Sequence, residues 1–99
     1  MNAYPYYGMD GQRIDRDESA RLFDDPTLRR VGRDERDGVT VSTVLLVISH
    51  QWDDAGPPVI FETMIFGGDH DEYQERYCTL AEAQAGHAAA CTLAFGDAA

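Results

Sequence analysis

"R-D-G-V-T-V-S-T-V-L-L-V-I-S", residues 36 to 49, decides the fold. Asp37-Gly38 is the dipeptide of a two-residue hairpin turn, in which both central residues take positive φ. The arm that follows, Val39 to Ser49, is rich in β-branched residues, and from Val44 to Ile48 it is apolar on both parities. That pattern predicts a central strand covered on both faces. The arm before the turn, "R-R-V-G-R-D-E-R", is charged and polar, as an edge strand guarded against aggregation is.

Working outward, "P-P-V-I-F-E-T-M-I-F-G-G", residues 57 to 68, predicts a second apolar strand over 59–66. "G-G-D-H-D-E" turns the chain, and the alternation in "Y-Q-E-R-Y-C" predicts a fourth, half-exposed strand. "T-L-A-E" is a capping box, with Thr79 as cap and Glu82 reaching back. It opens a helix to about Phe95 that Gly96 closes. At 100° per residue Leu80, Ala83, His87, Cys91, Ala94 and Phe95 share one stripe. Near the start, Asp15 and Glu18 predict a short helix that Pro26 stops, with Leu22 and Phe23 as its apolar anchors. "D-D-P-T-L-R-R-V" alternatively starts a second short helix capped by Asp25. The aromatics of "Y-P-Y-Y-G" suit a short strand or an arm on the body. The expected fold is α+β: a four-stranded antiparallel meander with the C-terminal helix on one face and a short N-terminal helix. It is one domain over 1–99, with a charged segment 1–38 and a sheet-and-helix core 39–99.

The chain carries a net charge of −10, and all eight of its basic residues are arginine. Seven lie before Gly38 beside nine acids; after it Arg76 alone stands against nine. Phosphate contacts need Lys and Arg, so direct nucleic-acid binding is not expected. An acidic body suits solubility, a basic partner, or mimicry of nucleic-acid charge. The opening "M-N-A-Y-P-Y-Y-G" has no basic region followed by an apolar stretch, and no apolar run approaches the ~20 residues of a membrane helix. Cys78 and Cys91 fall too far apart along the helix for a bridge, so a reducing, cytoplasmic setting is expected.

Glu62 is the misfit in the second apolar strand. Positions 60, 62, 64 and 66 share a face, which places this carboxylate beside Ile60, Met64 and Phe66. If even residues pair with even ones, Val44, Leu46, Ile48 and His50 lie on the same face. A bare carboxylate there costs several kcal/mol, so a partner is expected: His50, His87 or Arg76. These four residues are the candidate ligand-binding set, lining a small cavity. Trp52 with Asp53 and Asp54 is a candidate partner contact, because Trp is enriched at binding hot spots. No metal motif, nucleophile elbow, P-loop or dinucleotide fingerprint is present, so no metal, cofactor or catalytic residue is assigned. Imidazole and carboxylate are nonetheless metal-ligand types. Two apolar-faced strands with one long helix also predict a homo-oligomer, most simply a dimer.

Three stretches together, "V-S-T-V-L-L-V-I-S-H", "G-P-P-V-I-F-E-T-M-I-F-G-G" and "R-Y-C-T-L-A-E-A-Q-A-G-H", resemble a family of short proteins of high-GC bacteria and their phages. "A-R-L-F-D-D-P-T-L-R-R-V" extends the resemblance over nearly the whole chain. Two positions depart from the pattern: Ser49 where that family often has an acidic residue, and Ser19 where it commonly has tryptophan. The resemblance implies a phage or mobile-element accessory protein and supplies no reaction. The expected function is a non-enzymatic protein that engages a host factor or sequesters a small ligand, as in counter-defence. The alternatives are a metal-dependent enzyme with a His/Glu site and an acidic nucleic-acid mimic with a basic protein partner.

Overall fold

The computed structural model describes residues 5–50 and 56–96. A helix α1 (Arg16–Asp24) and a 3-10 turn (Pro26–Arg29) lead into strands β1 (Arg30–Arg36), β2 (Val39–Leu45), β3 (Phe61–Phe66) and β4 (Gln74–Tyr77), and helix α2 (Leu80–Phe95) closes the order. The strands form one antiparallel sheet in the order β1-β2-β3-β4. This is the predicted meander. Asp37 and Gly38 join β1 to β2 at φ 52° and 83°, the conformation their dipeptide favours.

Both helix starts form as the sequence reads. The Asp15 carboxylate accepts from the Glu18 amide at 2.8 Å. Thr79 and Glu82 make the reciprocal capping box of α2. The two readings of residues 24–31 turn out to be compatible, because Asp25 ends α1 and also caps the 3-10 turn through Thr27. Arg29 then ties that turn to the body, donating to the carbonyls of Leu22 at 3.1 Å and Leu45 at 3.4 Å.

The core is layered. In register, β2 and β3 pair Leu45 with Phe61, Thr43 with Thr63, and Val41 with Ile65. All six are fully buried. They face α2, which brings Ala83 to the first pair, His87 to the second and Ala90 to the third. Two apolar layers therefore sandwich a polar one. Leu22 of α1 packs into the first layer with Val47 and Ile60, so α1 closes the end of the helix-covered side and does not lie on the opposite face. Phe95, expected in the core, is half-buried beside the third layer, with the Arg36 guanidinium 4.8 Å from its ring centroid.

The apolar run 44–48 has a different explanation from the one its pattern suggests. β2 ends at Leu45, and Val47 adopts φ 74°, a rare conformation for a β-branched residue. Leu46 still bonds Ile60, whereas beyond the break His50 bonds Val59, a slipped register. The N-terminal aromatic segment pairs there: the Tyr7 amide donates to the Val47 carbonyl at 2.8 Å, and Tyr6 faces Ile48. The second apolar parity is thus met at this end by the N-terminal arm. Within β2 itself the outward residues are Thr40, Ser42 and Val44.

Candidate functional site

Even residues of β2 do pair with even residues of β3, the condition on which the placement of Glu62 rests. Val44 faces Glu62, Ser42 faces Met64 and Thr40 faces Phe66. Glu62 therefore points to the face opposite α2, where its neighbour across the sheet is Arg76. The Arg76 Nε donates to the Glu62 carboxylate at 2.9 Å, and Gln74 donates to the same oxygen. The Glu62 side chain is 12% exposed and that of Arg76 41%. The donor expected for the misfit carboxylate is thus arginine.

The two histidines of the candidate set do not join this pair. His50 lies past the break at Val47, exposed, and its backbone amide donates to the Val59 carbonyl at 2.7 Å. His87 sits on the other side of the sheet. The predicted four-residue cluster is therefore split, because Glu62 is at an outward position of β3 and α2 covers the inward ones. The structure does contain a cavity of about 100 Å³, but Val39, Ile65, Gly67, Gly68, Asp69, His70, Leu93 and Ala94 line it, and Glu62 does not. In the turn beside it, Asp71 accepts from the Gly67 amide at 2.7 Å, the work of a turn-forming side chain. Trp52, Asp53 and Asp54 lie outside the described residues. Both cysteines are free thiols, as expected.

His87 is the centre of a second constellation that sequence reading did not assemble. Its Nε2 lies 2.7 Å from the Asp34 carboxylate of β1, and its Nδ1 lies 2.7 Å from the Thr43 hydroxyl. Thr43 in turn lies 2.5 Å from the Thr63 hydroxyl. The Cys91 thiol, one helical turn beyond His87, donates to the same Asp34 oxygen at 3.5 Å. Hydrogen bonds from His87 first, and then from Cys91, hold the Asp34 carboxyl below its ordinary pKa. An ionised carboxylate only accepts, so Nε2 carries a proton. With that proton on Nε2 and the ring neutral, the arrangement in which Nδ1 accepts from Thr43 and Thr43 accepts from Thr63 satisfies the chain. Burial, with the Asp34 hydrogen bond and charge second, pushes the Cys91 thiol up to about 11. Gly32 makes the arrangement possible: a Cβ at that position of β1 would lie 2.8 Å from the imidazole.

An acid–histidine–hydroxyl chain resembles a hydrolytic triad in composition, yet its geometry forbids that chemistry. A nucleophile must meet its substrate, and Thr43 is fully buried between the sheet and α2. The only open end is Asp34, whose side chain is 58% exposed against 13% for His87.

A scan against protein-family models found no match, and searches of the curated proteins and of the solved structures found none either.

Proposed function

We propose that this chain is a non-enzymatic binding protein whose contact surface is the open face of the sheet, and that the first occupant of that face is a second copy of the chain. The observation that carries this reading is the charge balance of the face. By register, cross-strand partners share a side. Arg30, Arg33 and Glu35 of β1 therefore join Glu62 and Arg76, three cations against two anions, on a chain of net charge −10. The rest of the surface is strongly acidic, whereas this face is close to neutral, so repulsion between two copies is weakest here. Between the charges lie Val44, Met64 and Phe66, the last 48% exposed, and among the described residues no helix covers them. The Glu62–Arg76–Gln74 cluster gives such an interface a pre-positioned polar centre, and a two-fold axis passing beside it would set each copy's arginine near its partner's glutamate.

The setting comes from the resemblance to short phage and bacterial proteins: an accessory protein in the cytoplasm of a phage-carrying cell, where the dimer engages a host factor, as in counter-defence. A flat face suits a macromolecule better than a small ligand, since ligand pockets enclose about 300–1,000 Å³. Among the described residues no helix is long and apolar enough to cross a membrane.

Light scattering tests the reading. The expected mass is twice the 11.0 kDa of the chain, falling to the monomer in Phe66→Glu, which adds a charge to the exposed face without touching the core. A wild-type mass of 11.0 kDa across a wide concentration range would contradict it.

A further inference from the structure

The side-chain cluster at the edge of the helix-covered face has no part in that contact surface. We propose that Asp34, His87 and Cys91 form a binding site for a divalent transition-metal ion of the zinc class. One ligand atom from each residue, a carboxylate oxygen, an imidazole nitrogen and a sulfur, lies within 4.8 Å of the other two. The donors differ in kind, and that mixture of sulfur, nitrogen and oxygen suits zinc while excluding magnesium and calcium, which take oxygen ligands.

Two elements deliver the ligands. His87 and Cys91 stand four residues apart on α2, so they project from one face one turn apart. Asp34 comes from the facing edge strand. A four-coordinate zinc ion needs ligand atoms roughly 3.3–3.8 Å apart, given bonds of about 2.0–2.3 Å. The Cys91–Asp34 separation of 3.5 Å already fits, and the His87–Asp34 separation of 2.7 Å must open. Asp34 is the exposed member and supplies that movement. Its exposure also leaves a fourth position to water, the pattern of sites with three protein ligands.

The buried layer behind the ligands is what distinguishes this cluster from a chance meeting of polar side chains. A metal-bound imidazole is oriented by a hydrogen bond from its other ring nitrogen. Here Nδ1 already meets the Thr43 hydroxyl, itself held by Thr63, and both threonines are fully buried. When an ion enters, the Cys91 thiol proton leaves to solvent. The imidazole stays neutral and exchanges its Nε2 proton for one on Nδ1, which Thr43 accepts while turning its own hydroxyl hydrogen toward Thr63. Gly32 keeps room for the ring beside β1.

Cobalt(II) is the probe, because thiolate ligation gives it a charge-transfer band that oxygen and nitrogen ligands do not. Titrating the full chain should yield one cobalt per chain with that band, displaced by zinc. Cys91→Ser should abolish the band, Cys78→Ser should leave it, and Asp34→Asn should weaken binding at least tenfold, with circular dichroism confirming that each variant is folded. Two results would overturn the proposal: cobalt uptake without a thiolate band, or a band that survives Cys91→Ser and disappears in Cys78→Ser.

Discussion

The two faces of the sheet each hold a polar group amid apolar neighbours, and they treat it differently. On the face under α2, Thr43, Thr63 and His87 form a complete buried layer that ends in an exposed carboxylate, Asp34. On the open face, Glu62 is shielded yet leans on an arginine that reaches water. A buried polar layer must be fully satisfied, and once satisfied it fixes one alignment of the elements that share it. Here it fixes α2 along the sheet: sliding the helix by one turn would set an alanine against the threonine pair. The open pair carries no such demand, because its partners have solvent as an alternative. The covered face accordingly specifies structure, and the open face is left to contact other molecules.

The largest effect expected from breaking this contrast is at His87. His87→Ala leaves a hole under α2 and removes the partner of Thr43, so unfolding by denaturant should show a loss of about 2–4 kcal/mol. A loss below about 1 kcal/mol would mean that the layer is not a structural unit. Next comes Gly86→Ala, which sharpens the account of how closely α2 sits on the sheet. Alanine is the better helix former by about 1 kcal/mol. A Cβ there, however, would run into the Tyr77 hydroxyl, so the tyrosine or the helix must shift. A net destabilisation of about 1–3 kcal/mol is expected, read as a lower melting temperature; a rise would show that α2 rides higher than described. The smallest effect belongs to the open face. Glu62→Ala should cost about 0–1 kcal/mol, because the shielded carboxylate leaves behind an arginine that already reaches water, while lowering the dimer's stability to dilution. A cost comparable to that of His87→Ala would erase the distinction between the faces.

Much of the fold was legible because the local signals are strong and agree: Asp37-Gly38 for the hairpin, Thr79 with Glu82 for the start of α2, alternation for β4. That positions 60, 62, 64 and 66 share a face was legible too, since side chains alternate along a regular strand; which residues of β2 oppose them was not, because register depends on the connection between the strands. What parity cannot show is where a ladder breaks. The turn at Val47 puts a β-branched residue at positive φ, which no residue preference announces, and it carried His50 out of register with Glu62. The apolar run that suggested a sheet covered on both faces belongs partly to that break, where Tyr6 and Tyr7 pack. The His87 constellation was hidden for a different reason. Threonine is a favoured strand residue, so Thr43 and Thr63 read as sheet formers, and Asp34 read as one more charge on a guarded edge. One signal was present in the sequence: His87 and Cys91 share the inner stripe of α2 four residues apart, a spacing that brings two ligand-type side chains together.

Two methionine methyl groups test the functional claim most directly. Met64 lies on the open face at the proposed contact, and Met9 packs against the core cluster around Leu22 and Leu45. In a methyl spectrum recorded through serial dilution, the Met64 resonance should move or exchange between two positions as the dimer dissociates, while Met9 stays in place. A Met64 resonance that is unchanged from concentrated to dilute protein would contradict the assignment of the open face as the contact surface.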